Sequence, residues 1–598
     1  MRANYKYITI VVFWCIAIAW FDGIAKQKAA KYKVENVVFV GNNSFSDKRL
    51  IRTMITRSSS FFSKRFFYKD VFEEDLKSLI SFYNRNGFLE VTIEERVVKI
   101  DTLKNSCLLR IKIHEGELTK IEGISIFGHQ IFSEKKLQKK INIKEGDPFR
   151  QGKIQDARVA LLTMYADNGF IDAEVNPEIK INADIHRAII DFLIQEGFQY
   201  KIGQIKIKGI EKIKEKIVKR ELLFHSGQLI SYSSLLKSQR NLYLTGLYQS
   251  VFIRPQTSDN DSSTKDILIE IKEKQAGEFN VAVGFGSIDR LMGRIEVYNT
   301  NLAGTARKIG LSFKKSFVNQ GIEASFTEPY TYGFRWKTDV GFKYDFLDEP
   351  GYNINRVGGR VTVGRVIKDR SNIFLNFRHD RTRLSEVKVS KIPEKLISNV
   401  RSLKLSIIYD NRDNIFNSTH GCYLEWNNEL AGSFLSGSDS FLRSVGRAKY
   451  FKLLGRSTVL ATAFEIGWMD VFAGSKEIPL NERFYAGGPN SLRGFKYRAV
   501  GPLGTNSVEV GGQFQIIWNA IELRRSLYKM VGTALFIDIG NVWGKAEYMN
   551  WKHLRLSPGI GVRINTPLGI ARVDYGFAID PKKDEPSGML YFNMGQAF

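Results

Sequence analysis

Three alternating stretches near the carboxy terminus place charge on one side of an otherwise apolar strand. In Ala534-Leu535-Phe536-Ile537-Asp538-Ile539-Gly540, the parity that sends Leu535, Ile537 and Ile539 to one face sends Asp538 to the other. Arg572, Asp574 and Gly576 likewise oppose Val573, Tyr575 and Phe577, and Arg563 opposes Ile560, Val562 and Ile564. Strands with one apolar and one polar face suit lipid outside and a lumen inside. Charges held in a confined lumen need partners of opposite sign, so the chemistry these residues offer is ion pairing and hydrogen bonding. Covalent chemistry finds no motif: seven His and three Cys form no metal-spaced cluster, and neither a Gly-x-x-x-x-Gly-Lys-Ser/Thr loop nor a Gly-x-Ser-x-Gly elbow occurs. No enzyme, catalytic residue, metal or cofactor is expected.

The elements that must carry these charges extend over residues 275–598, a region of glycines, aromatics and alternating runs. Its opening run puts Phe279, Val281, Val283 and Phe285 toward lipid and Asn280, Ala282, Gly284 and Gly286 inward. The chain stops on an aromatic, with Leu590, Phe592, Met594 and Phe598 expected toward lipid and Tyr591, Asn593, Gly595 and Ala597 inward. No internal apolar run reaches the roughly 20 residues of a spanning helix, and a membrane chain without such helices must close as a barrel. Closure would pair the first strand with the last. Gly284, Gly286 and Gly595 weaken that pairing, so Phe279, Gly284, Gly286, Gly595 and Phe598 are expected to mark a lateral seam.

The excess of 88 Lys+Arg over 63 Asp+Glu is scattered along the chain rather than gathered in a stripe. That distribution favours anionic lipid head groups over nucleic acid. Arg2, Lys6 and the apolar run from Ile8 to Phe21 read as a secretory signal over residues 1–25, with small residues at Gly23 and Ala25. Cys107 and Cys422 lie too far apart in sequence to suggest a disulfide framework.

Between signal and barrel a unit of about eighty residues recurs three times. Val37-Val38-Phe39-Val40-Gly41 returns as Ile124-Ser125-Ile126-Phe127-Gly128 and as Ile205-Lys206-Ile207-Lys208-Gly209, at spacings of 87 and 81 residues. Each unit then has a helical pattern ending near Gly87, Gly169 or Gly246, and closes on strands ending near Glu115, Glu196 or Glu273. The order is strand, helix, helix, strand, strand, over 31–116, 117–197 and 198–274. Small sheets of this kind leave edges that can accept an extended segment of another chain.

The segment Glu482-Arg483-Phe484-Tyr485-Ala486-Gly487-Gly488-Pro489-Asn490-Ser491-Leu492-Arg493-Gly494-Phe495 resembles the hallmark of the outer-membrane assembly factor superfamily, which includes BamA- and TamA-type members. Tyr409-Asp410-Asn411-Arg412-Asp413 and Ser557-Pro558-Gly559-Ile560-Gly561-Val562-Arg563 also resemble family elements, although Asn417-Ser418 stands where the family usually has a proline. The resemblance implies three periplasmic POTRA domains and a 16-stranded outer-membrane barrel of a Gram-negative bacterium. It further implies that Arg493, Gly494 and Phe495 sit on a loop folded into the lumen, where Arg493 pairs with Asp538, so that exchanging the two charges would preserve the pair. Its implied partners are unfolded outer-membrane clients, autotransporters among them, outer-membrane lipids and an inner-membrane-anchored TamB-like protein. Three repeats favour a TamA-type member; a reduced BamA-type factor and a two-partner secretion transporter remain as alternatives.

Overall fold

Sixteen strands form one antiparallel sheet, ordered as in the chain from Gly277–Gly286 to Gly588–Met594. The computed structural model describes residues 32–598 apart from 60–64, 259–260, 368–369, 390–394, 456, 505–507, 529 and 568. The expected signal segment therefore lies outside the described residues. Among those residues no helix is long and apolar enough to cross a membrane. Alternation along the strands turns Phe279, Val281, Val283 and Phe285 outward, while Asp538, Asp574, Arg563 and Arg572 are buried inside.

First and last strands do not form a ladder among the described residues. The Ser287 N–H donates to the Phe592 carbonyl at 2.8 Å, and the Phe592 N–H donates to Ser287 Oγ at 2.7 Å. The Phe285 and Phe592 rings lie 5.6 Å apart beside this contact. Two expectations are corrected here. The final strand ends at Met594, before Gly595, and Phe598 does not face lipid: its ring packs 6.4 Å from that of the buried Phe451. Gly595 adopts φ +88, a left-handed conformation that stops extended alternation and turns the last residues inward.

The turn after Ile397–Asp410 forms without the family's usual proline. Asn414 Oδ1 accepts from the N–H groups of Phe416 and Asn417, and Asp413 accepts from Thr419 and His420. Side-chain oxygens thus close the loop that a ring would otherwise stiffen.

The repeats share one sheet plan, in which the last strand lies between the first and the second. In the first repeat, Lys33–Val40 runs parallel to Ser106–His114, and Thr92–Asp101 runs antiparallel to it. Helices Asp47–Thr53 and Lys69–Arg85 cover the sheet; Phe72, Leu76, Leu79 and Tyr83 form the buried stripe of the longer helix. The second repeat copies this with Lys120–Phe127, Glu134–Gln138, Gln151–Ala166, Glu174–Asn182 and Arg187–Gln195. The third uses Lys201–Lys208, Glu215–Lys219, Tyr232–Leu244, Tyr248–Thr257 and Thr264–Glu273.

A repeated cap explains the terminal glutamates. After the glycine that ends each first strand, backbone N–H groups donate to a carboxylate at the end of the last strand: Ser44 to Glu115, Gln130 and Ile131 to Glu196, and Lys212 and Ile213 to Glu273. The glycine itself is forced: Gly128 has φ +79, and a Cβ there would lie 2.1 Å from the Ile194 carbonyl oxygen. The Tyr83 and Tyr165 hydroxyls complete two of the caps at 2.9 and 2.8 Å.

Burial alone would raise the Glu196 carboxyl, but the Ile131 and Gln130 N–H groups and the Tyr165 hydroxyl outweigh it and hold the group below its ordinary 4.5. A depressed folded-state value means that the cap contributes its full stability above pH 4.5 and loses it as pH falls through that lower value. Glu196→Gln should therefore flatten the acid limb of the second repeat's stability profile, read by hydrogen exchange in Lys120–Phe127 between pH 7 and pH 3. An unchanged acid limb would remove the carboxylate from the cap.

Candidate functional site

The loop joining Thr458–Val471 to Phe514–Tyr528 fills the barrel interior through Arg493, a side chain with no solvent exposure. Its Nε donates to Asp538 Oδ2 at 2.8 Å and its Nη2 to Asp538 Oδ1 at 2.7 Å, a two-bond grip. The Arg493 backbone N–H also reaches Asp538 Oδ2, at 3.2 Å. Nη1 donates to Glu522 Oε2 at 2.6 Å and lies 3.6 Å from Asp574 Oδ2. The guanidinium carbon lies over the Phe536 ring, 3.4 Å from its centroid.

Each carboxylate around Arg493 is itself shared. Asp538 accepts from Asn519 Nδ2 at 2.8 Å, Glu522 accepts from Arg524 Nε at 2.7 Å, and Asp574 pairs with Arg563 at 2.5 Å and Arg572 at 2.9 Å. Buried carboxylates left unpaired would be strongly destabilising; here every one has at least two polar partners.

Gly494 and Phe495 lie where a larger or more polar pair would not fit. A Cβ at Gly494 would stand 2.4 Å from the Phe577 carbonyl oxygen and 2.6 Å from Ser557 Oγ. Phe495 is buried, and its carbonyl accepts from the Tyr591 hydroxyl at 2.7 Å. Tyr591 belongs to the final strand, so the locked loop is bonded directly to the seam. The seam residues themselves separate into two groups: Phe279, Gly284 and Gly286 lie on the first strand, whereas Gly595 and Phe598 have left the last one.

A second anchor holds the same loop nearer its start. Glu482 is buried and receives Arg378 Nη2 at 3.0 Å and Arg443 Nη2 at 2.6 Å. Arg378 also reaches Glu429 at 2.7 Å and Asp380 at 3.0 Å. Beyond Arg493, Arg498 donates to the Tyr352 hydroxyl at 2.7 Å, pairs with Glu349 at 2.7 Å and lies over the Tyr485 ring.

Alternation in the sequence did not reveal Glu522, because a bulge breaks the register of Phe514–Tyr528 between Asn519 and Ile521. Asn519, Glu522 and Arg524 consequently all point inward, which uninterrupted parity forbids. The bulge has no clear marker in the sequence; the acidic residue between apolar neighbours in Ala520-Ile521-Glu522-Leu523 is the only cue.

Residues 301–598 match the Omp85 superfamily domain, and residues 32–116, 119–197 and 200–274 each match the POTRA surface antigen variable number repeat. The chain belongs to the Omp85 superfamily. As an Omp85 protein it lies in the outer membrane with periplasmic POTRA repeats. It is 23% identical to the outer membrane protein assembly factor BamA of Neorickettsia risticii, across 96% of this chain and 79% of that one. The BamA of Nitratidesulfovibrio vulgaris is also 23% identical, across 88% of this chain and 68% of the relative. The fold matches a crystal structure of Haemophilus ducreyi BamA lacking POTRA domains 1–3, with a TM-score of 0.68, 22% identity, and coverage of 80% of this chain and 99% of that one.

Removing the Arg493 guanidinium from three carboxylates should cost the barrel about 3–5 kcal/mol, seen as a lower urea midpoint and as protease access to the loop in Arg493→Ala. Arg493→Lys should recover only part of this, since an ammonium lacks the planar fork. The simple exchange expected from a two-residue pair is revised: Arg493→Asp/Asp538→Arg would set a new carboxylate against Glu522 and Asp574, so it should be no more stable than Arg493→Ala. Full recovery in the exchanged variant would show that Glu522 and Asp574 contribute nothing to the lock.

Proposed function

We propose that this Omp85 protein is a non-enzymatic insertase: its POTRA repeats receive unfolded outer-membrane proteins, and its barrel seam assists their assembly into lipid. The observation that carries this reading is the edge of the first strand. Among the described residues, Gly277–Gly286 is paired in a ladder on one side only, and backbone hydrogen bonding to the last strand begins at Ser287. A row of free N–H and C=O groups at a lipid-facing seam is a template for strand addition. The driving force is the client's own folding, which buries apolar surface and satisfies its backbone.

The Arg493 lock and its Tyr591 link fit the same reading, since they tie the loop to the strand that borders the seam. Two scopes divide it. The relatives named as assembly factor BamA span most of this chain and support a general role in assembling outer-membrane proteins. Three POTRA repeats support a narrower, TamA-like role toward clients such as autotransporters, with an inner-membrane-anchored TamB-like partner. Depleting the protein separates the two: loss of nearly all outer-membrane barrels marks the general role, and loss of a small subset marks the narrow one.

Liposomes holding the protein should insert an unfolded barrel client severalfold faster than empty liposomes. In the Ser287→Cys/Phe592→Cys variant, oxidation should abolish the acceleration and reduction should restore it. Undiminished insertion by the oxidised protein would take the seam out of the mechanism. Client released across the bilayer, rather than resisting alkaline extraction within it, would instead mark a secretion transporter.

A further inference from the structure

The charges around Arg493 do not balance. Arg493, Arg524, Arg563 and Arg572 face Glu522, Asp538 and Asp574, and none of these seven residues is more than 6% exposed. Four cations against three anions leave one positive charge in excess. Among the described residues no further carboxylate pairs with Arg524, Arg563 or Arg572. A buried charge without its counter-charge is strongly unfavourable, whichever member of the cluster is taken to carry it.

The unused donors locate the excess. Arg524 Nε donates to Glu522 Oε1 at 2.7 Å, while its buried Nη1 and Nη2 have no hydrogen-bond partner among the described residues. Arg563 Nη1 donates to Asp574 Oδ1 at 2.5 Å and to the Val562 carbonyl at 3.2 Å, which leaves Nε and Nη2 buried and unbonded. That Nη2 stands 3.6 Å from Glu522 Oε1, the atom Arg524 already holds. Two guanidiniums of like charge therefore converge on one oxygen with four N–H-bearing nitrogens unused between them. The Phe451 and Phe598 rings lie 5.6 and 5.2 Å from the Arg524 guanidinium carbon and ease its charge. A ring offers no lone pair, however, so the N–H groups keep their desolvation cost.

We infer that Arg524 and Arg563 bind a small monovalent anion, chloride in an ordinary medium, as the fourth counter-charge of the lock. Its charge follows from the excess: one negative charge balances the cluster, whereas a phosphate or sulfate dianion would reverse the imbalance. Its size follows from the enclosure, since Arg524 and Arg563 are 6% and 4% exposed and leave no opening for the tail of an organic acid. A spherical ion also accepts N–H groups from any direction, which suits donors from two side chains on different strands, and bonds to an ionised acceptor are the strong ones. The lock is then built from loop, wall and one ion of the medium. The site rests on the charge count and the unused donors, and holds whether or not the protein is an insertase.

The test compares full-length protein in liposomes in sodium chloride and in sodium gluconate, whose anion is too bulky for the site, at one ionic strength. The readout is the folded-to-unfolded ratio in urea. An anion bound only by the folded state should multiply that ratio about tenfold for each tenfold rise in chloride above half-saturation. Arg524→Met removes the excess cation and should abolish this dependence, while Arg524→Lys keeps the charge and should retain it. Crystals of the wild type soaked in sodium bromide should show anomalous scattering within hydrogen-bond reach of Arg524 Nη1 or Nη2 and Arg563 Nη2. Equal stability of the wild type in chloride and gluconate overturns the inference, as does bromide found only on the surface. A chloride dependence that persists in folded Arg524→Met places the stabilising anion elsewhere and overturns it too. If Arg524→Met does not fold, the wild-type chloride dependence and the bromide position decide, and both are required.

Discussion

A guanidinium without access to water is tolerable only if its counter-charges are buried with it, and the arrangement around Arg493 follows from that constraint. One cation on a loop draws Asp538, Glu522 and Asp574 inward from neighbouring strands, and those carboxylates bring Arg524, Arg563 and Arg572. The hydrogen bonds are directional, so the loop backbone at Gly494 must press against the wall, where no side chain fits. Removing one member leaves the others desolvated and unpaired, which is why such a cluster behaves as a unit.

The seam shows the opposite economy. Most of the barrel satisfies its backbone with continuous ladders, as a lipid-embedded sheet must. The first strand forgoes this along one edge, and the last strand stops at Met594. Tyr591 joins the two regimes: its backbone pairs with Asp574 in the neighbouring strand, and its hydroxyl reaches the Phe495 carbonyl. One residue thus joins the buried loop lock to the least paired part of the wall.

Much of this was legible in the sequence because it depends on short-range periodicity. Alternation placed Asp538, Asp574, Arg563 and Arg572 in the lumen, and the recurring glycine and terminal glutamate set out three sheets of one plan. Interruptions of that periodicity were not legible. The bulge between Asn519 and Ile521 hid Glu522, and the left-handed turn at Gly595 moved Phe598 from lipid to Arg524. The second anchor escaped for another reason: Arg378, Glu429, Arg443 and Glu482 come from four separate elements, and no local pattern relates them. The pairing of Arg493 with Asp538 came from family resemblance, since no spacing rule links a loop to a strand 45 residues away.

The two anchors of the interior loop differ in sign. Near its start the loop offers an anion, Glu482, to a wall of arginines, and eleven residues later it offers a cation, Arg493, to a wall of carboxylates. Turned end for end, it would set arginine on arginines and glutamate among acids. The plug is therefore keyed like a polarised connector, and a barrel still closing around it can reject a reversed seating by electrostatic repulsion before any close packing has formed.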